Sequence, residues 1–207
     1  MNIRKLIPVI ATIVLLVSLS ACKDGNGQSE TPTPESGTLT VTFDFEKQSG
    51  YASNQFAVWI EDADGNLIKT LYATHFTANG GYKIRPDSIP EWGEKSGLAT
   101  MTKSEVDAIS GATPKAGTLS YIWDLTHANG DTVSLGEYIF FVEGSLRWKN
   151  RVLYSGIIAI GDATATVEAN AEYFYEVSDN QPALSSDSPE NSMVSVATAS
   201  FVPAVNN

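Results

Sequence analysis

The run Asp107-Ala108-Ile109-Ser110-Gly111-Ala112-Thr113 gathers one carboxylate and two hydroxyls within seven residues. Thr113 is the group that could react. Its hydroxyl is a nucleophile, though a poor one until a base or a metal ion activates it. No Gly-x-Ser-x-Gly turn and no Ser/His/Asp signature accompanies it. The run therefore carries no signature of a catalytic centre. Gly111 and Ala112 leave the backbone uncovered. Ser110 and Asp107 can fix the loop through local hydrogen bonds from side chain to backbone. Pro114 biases Thr113 toward an extended conformation, which presents its side chain. The same residues also suit an ordinary connector from a helix to a strand. His75 and His127 are the only histidines and neither has a neighbour at metal-ligand spacing, so no metal site is expected.

As D-x-x-S-G-A-T, the run resembles the sequence that extracytoplasmic flavin transferases modify. The resemblance implies that FMN, taken from flavin adenine dinucleotide by a magnesium-dependent transferase, becomes joined to Thr113 through a phosphoester. Asp107, Ser110, Gly111 and Ala112 would be the cofactor-attachment surroundings. The protein would then be a redox carrier with an envelope redox partner, the flavin carrying the electrons and the chain tuning and positioning it. Trp92 and Tyr82 are candidates to stack on the isoalloxazine ring, and Lys103, Lys115 and Arg85 to offset the phosphate. A second resemblance covers most of the chain. Its pieces are Ala57-Val58-Trp59-Ile60-Glu61-Asp62 with Gly65, then Ile68-Lys69-Thr70-Leu71, then the run from Val106 to Pro114, then Trp123-Asp124 through Tyr138. Together they are similar to a family of periplasmic domains of unknown function with a D-x-(V/I)-(S/T)-G-A-T run. Its members tend to be encoded near flavin transferases and PepSY-type membrane proteins.

The elements that must position Thr113 lie in residues 77–116, which lack a period-two pattern. Ser88-Ile89-Pro90-Glu91 has capping-box spacing with an early proline, and predicts a short helix through Trp92. Thr102-Lys103-Ser104-Glu105 repeats the spacing and predicts a second helix, ending at Ser110-Gly111 with glycine as a left-handed C-cap. An insertion of this length is not needed to fold a sandwich and points to function.

On both sides of it the chain reads as strands. Residues 39–45 and 55–61 alternate, the second with Phe56, Val58 and Ile60 on one face and Trp59 on the other. Residues 67–72 resume the strand pattern, and Asp64-Gly65 between 55–61 and this run signals a hairpin turn. Further strands are predicted at 117–124, 137–143, 152–160, 163–177 and 193–202. About eight short strands imply a mainly β, antiparallel sandwich with a short helical insertion. The segment Trp123-Asp124, Asn129-Gly130-Asp131, Leu135-Gly136-Glu137-Tyr138 resembles the pattern of immunoglobulin-like domains such as the flagellar hook-capping protein's. It implies a Trp123 that fills the core between the sheets and a Gly136 that permits tight entry into the next strand.

Residues 1–21 have the three parts of a secretory signal: Arg4 and Lys5, an apolar stretch, and small residues before Cys22. Leu19-Ser20-Ala21-Cys22 resembles a bacterial lipobox, which implies that Cys22 is acylated and that the protein is held to the membrane by a lipid anchor. Lys23 mildly favours the outer membrane of a Gram-negative envelope by resemblance to sorting patterns. Cys22 is the single cysteine, so no disulfide is possible within the chain. Residues 22–37 read as a flexible tether, 38–204 as the folded domain, and 178–192 as a disordered loop within it. Without Arg4 and Lys5, 11 basic residues face 24 acidic ones, a net charge of −13, which excludes nucleic acid as a partner. Two functions from different classes remain: an electron carrier with covalent FMN at Thr113, or a non-catalytic binding or scaffolding lipoprotein. In neither is enzymatic activity of its own the leading expectation.

Overall fold

A computed structural model describes residues 37–47, 54–147, 150–174 and 193–204. The signal, Cys22, nearly all of the tether and the 178–192 loop lie outside the described residues. Ten strands occur among those described: β1 Gly37–Phe45, β2 Phe56–Asp62, β3 Leu67–Thr74, β4 Ser110–Gly111, β5 Gly117–Trp123, β6 Gly136–Arg147, β7 Asn150–Ile160, β8 Ala165–Glu168, β9 Asn170–Phe174 and β10 Val194–Pro203. They form two sheets, ordered β5-β1-β10-β8 and β4-β3-β2-β6-β7-β9. Every pairing is antiparallel except β3 with β4. The mainly β sandwich predicted from the strand pattern is the fold.

Alternation explains the core. Leu39, Val41, Phe43 and Phe45 of β1 point inward against Phe56, Val58 and Ile60 of β2 and Phe140 and Val142 of β6. β10 carries an extra residue opposite Thr42–Asp44, with Val196 at φ 52°. This bulge shifts the inward set from Val194 to Ala197, Ala199 and Phe201, so both ends of the strand serve one core. Trp123 is wholly buried there, its ring edge-on to Tyr138 at 5.1 Å and its Nε1–H bonded to the Thr126 carbonyl at 2.8 Å. The Tyr138 hydroxyl donates to the Ser134 carbonyl at 2.7 Å. Gly136 stands at φ 153°, a conformation that favours glycine.

Three readings of the strands and helices change. Residues 163–177 are not one strand: β8 belongs to the first sheet and β9 to the second, and the chain switches at Ala169, whose N–H bonds the Ala197 carbonyl. Ser88 does not cap a helix. The helix α2, Pro90–Lys95, follows a left-handed Ile89 with no side-chain cap of its own, and Ser88 is buried. Third, the helical segment is structural. It comprises α1 His75–Ala78, α2, α3 Lys103–Ile109 and two short 3-10 turns, Gly81–Lys83 and Leu98–Thr100. Ala78, Ile89, Trp92, Leu98 and Val106 pack with Ala57, Trp59 and Ala73 to make a second core on the outer face of the second sheet. This is why six successive residues of β2, Phe56 to Glu61, are buried: one face looks into the sandwich and the other under the helices.

Candidate functional site

The helix α3 begins as its sequence predicts. Thr102 accepts from the Glu105 N–H and Glu105 accepts from the Thr102 N–H at 2.6 Å, a complete capping box. Val106 anchors the helix to the second core, while Asp107 is exposed. The helix does not end in a left-handed glycine. Ser110 is extended at φ −121°, ψ 151°, and Ser110–Gly111 goes straight into β4, pairing in parallel with Ala73 and Thr74. The physical reason is that the β3 edge offers backbone partners at this point, and the chain takes those in place of a C-cap turn.

Besides this pairing, three hydrogen bonds from side chains hold the run. The Ser110 hydroxyl donates to the Val106 carbonyl at 2.7 Å. Its single proton being used there, it accepts from His75, whose Nδ1 lies 3.0 Å away; the bond assigns the proton to Nδ1. The Tyr72 hydroxyl donates to the Ala112 carbonyl at 2.6 Å. Asp107 supplies no hydrogen bond to the loop among the described residues, so its anticipated local role falls to Ser110 alone. Gly111 is required by contact: a Cβ there would lie 2.9 Å from Tyr72 Cε2, well inside van der Waals distance.

Tyr72 is itself fixed by neighbours. Its ring stacks on Phe56 at 5.3 Å and leans on Tyr121 at 4.9 Å, and Tyr121 stacks on Phe43 at 6.0 Å. This row of rings fills the end of the sandwich where β3 of one sheet faces β5 of the other. Burial raises the pKa of both phenols above the usual tyrosine value, so both remain protonated at neutral pH. Residues 112–116 cross between the sheets at this edge. Ala112 is exposed there, Thr113 is half-buried, and no hydrogen bond among the described residues engages the Thr113 hydroxyl.

The other candidates separate. Lys115 and Lys103 are exposed, Lys115 two residues from Thr113, whereas Arg85 is half-buried in the helical layer. Trp92 is wholly buried, with its Nε1–H on Thr70 Oγ1 at 3.1 Å, and so cannot stack on a flavin. Tyr82 packs at the margin of the second core, with Lys83 Nζ 5.5 Å from its ring centre. The Asp62–Asn66 turn is closed by its own bonds, Asp62 Oδ1 accepting from the Asp64 and Asn66 N–H groups.

The polar centre that sequence reasoning missed lies under α2. Glu143 of β6, fully buried, accepts from the N–H groups of Trp92 at 2.9 Å and Glu91 at 3.3 Å. Arg151 of β7 reaches the same carboxylate at 3.3 Å and Glu91 at 3.0 Å, its guanidinium 3.8 Å from the Phe174 ring centre. Burial raises the Glu143 carboxyl to about 7 against the opposing pull of these donors. At the other end of α2, Lys95 pairs at 3.1 Å with Glu61, which also accepts from Trp59 Nε1 at 2.7 Å. No sequence signal marks Glu143 beyond its place in a strand otherwise rich in apolar residues.

Over residues 37–176 the chain matches the model of a family described as "Predicted periplasmic protein (DUF2271)". The chain belongs to this family. Its location is accordingly extracytoplasmic. No curated protein and no solved structure matches the chain. The DUF2271 match contains the helical layer, Glu143, Arg151 and the whole run from Asp107 to Thr113, but stops before β10. Since β10 lies between β1 and β8, the sheet that faces the DUF2271 core is completed by a strand outside the matched segment.

Proposed function

We propose that this DUF2271 protein is an extracytoplasmic electron carrier to which FMN is attached at Thr113, and that Cys22 anchors it by lipid to the outer membrane. One observation carries the reading: Thr113 offers a hydroxyl without a hydrogen-bond partner on an edge whose preceding residues are held in place. A residue that receives a group from another enzyme needs both properties. Attachment would form a bond between Thr113 Oγ1 and the phosphorus of the FMN moiety and break the pyrophosphate bond of flavin adenine dinucleotide. AMP would leave with the threonine proton. The residues fit such a group: the small, exposed Ala112 leaves the approach to the acceptor clear, and the exposed Lys115 lies near enough in sequence to offset the phosphate. When bound, the flavin supplies reversible electron transfer; the chain's own part is to hold its point of attachment.

The test is the intact mass of the protein after co-expression with a flavin transferase. The expected gain is one FMN less one water, with a yellow protein, and Thr113→Ala should abolish both. A colourless protein of unmodified mass sinks the reading. The other function class, a non-catalytic binding or scaffolding lipoprotein, draws on the outer edge of β5, which among the described residues pairs only with β1 and carries Ile122, 66% exposed. A stable envelope partner retained equally by wild type and Thr113→Ala would favour it.

A further inference from the structure

We infer that Tyr72 and His75 are positioning residues that hold the acceptor loop in the form the transferring enzyme takes up. The inference rests on the reading of Thr113 as a modification site and deepens it. Neither residue belongs to the Asp107–Thr113 run; both come from the end of β3 and the start of α1, some forty residues earlier. They grip the run at two points on the N-terminal side of Thr113, the Ser110 hydroxyl and the Ala112 carbonyl. The composition of the run follows from the clamp. Position 110 needs a group that donates back to the Val106 carbonyl and accepts from His75 at once, which a hydroxyl does and an alanine does not. Position 111 needs a residue without Cβ, because the Tyr72 ring occupies that space. Position 112 contributes only its carbonyl, and its small exposed side chain leaves the approach to Thr113 clear.

The rigidity of the clamp comes from behind. Tyr72 cannot swing away without breaking its stack on Phe56 and its contact with Tyr121. The loop is therefore ordered before any enzyme meets it, and the ordering entropy of the bound state is already met.

The experiment uses the folded chain with Tyr72→Phe, which deletes one oxygen and keeps the ring stack, and His75→Ala, which alters a half-exposed side chain. Hydrogen exchange is followed at the amides of residues 110–113 in the unmodified proteins, and flavin transfer is followed as kcat and KM for the protein substrate. Loss of one hydrogen bond should speed exchange about five- to tenfold in each variant. It should raise the KM for transfer by a similar factor with kcat little changed, the signature of weakened ground-state binding. Circular dichroism melting checks that both variants fold. Wild-type exchange rates and wild-type kcat/KM in both variants overturn the clamp while leaving Thr113 as the acceptor. A wild-type protein that is never labelled overturns the acceptor reading instead, and the exchange rates then judge the clamp by themselves.

Discussion

The outer face of the second sheet and its β4 edge both carry polar side chains, but to opposite ends. Beneath α2, Glu143, Glu61, Thr70 and the indole N–H groups of Trp59 and Trp92 are buried, and every one has a partner. Among the described residues no buried side-chain nitrogen or oxygen is left without one. At the edge, Ser110 and Tyr72 are likewise bonded, yet the bonds stop one residue short of Thr113. A dry site must satisfy all its polar groups, because each one left unpaired costs about 1–3 kcal/mol. An edge open to water carries no such constraint and can leave a hydroxyl free. The contrast gives the helical segment a part in the packing and leaves the free hydroxyl to its last few residues.

The strongest way to break this contrast is Trp92→Ala. If the helical layer is part of the cooperative unit, emptying its central ring should cost about 3–5 kcal/mol of unfolding free energy. Chemical denaturation followed by far-ultraviolet circular dichroism and by tryptophan fluorescence should show one shared transition. A loss below about 1 kcal/mol, or a helical layer that melts separately from the sandwich, would make the layer an appendage.

The second sharpens the electrostatics of the buried face. Burial raises the Glu143 carboxyl from 4.5 to about 7. Between those values the folded protein keeps a proton that the unfolded chain has released. The stabilisation is therefore complete below pH 4.5 and lost as pH rises through 7. This one group should tilt unfolding free energy downward by about 1 kcal/mol per pH unit across that window. Glu143→Gln retains an acceptor for the Trp92 N–H and removes the titration, so its profile should be flatter by that amount. Identical slopes for the two proteins between pH 5 and 7 would place the proton elsewhere.

Legibility in the sequence followed range. The Thr102–Glu105 box, the Asp62–Asn66 turn and the inward alternation of Leu39, Val41, Phe43 and Phe45 depend on residues within a few positions of each other, and the sequence shows them. Trp59 is visibly on the opposite face of β2, but nothing local says what covers it. The start of α2 misleads for the same reason: the group that meets its N–H groups is a carboxylate some fifty residues later. The switch of sheets at Ala169 leaves no trace because the alternation of apolar and polar residues runs unbroken from Ala163 to Tyr173 and so reads as one strand. At the candidate site, Thr113, Ser110 and Gly111 were visible as residue types, whereas Tyr72 and His75 became visible only when the fold brought β3 beside β4.

The smallest effect is the one that separates the two regions most cleanly. Thr113 is half-buried and its hydroxyl has no hydrogen bond to lose. Thr113→Ala should then shift unfolding free energy by no more than about 0.5 kcal/mol, the range of substitutions away from special features. Thr113→Ser should do the same while keeping a hydroxyl in place. If the edge is reserved for receiving a group, the two variants melt together with wild type and differ only in labelling, with Ser accepting and Ala not. A Thr113→Ala protein that loses several kcal/mol would mean that the side chain is part of the packing, and the distinction between a satisfied face and an open edge would not hold.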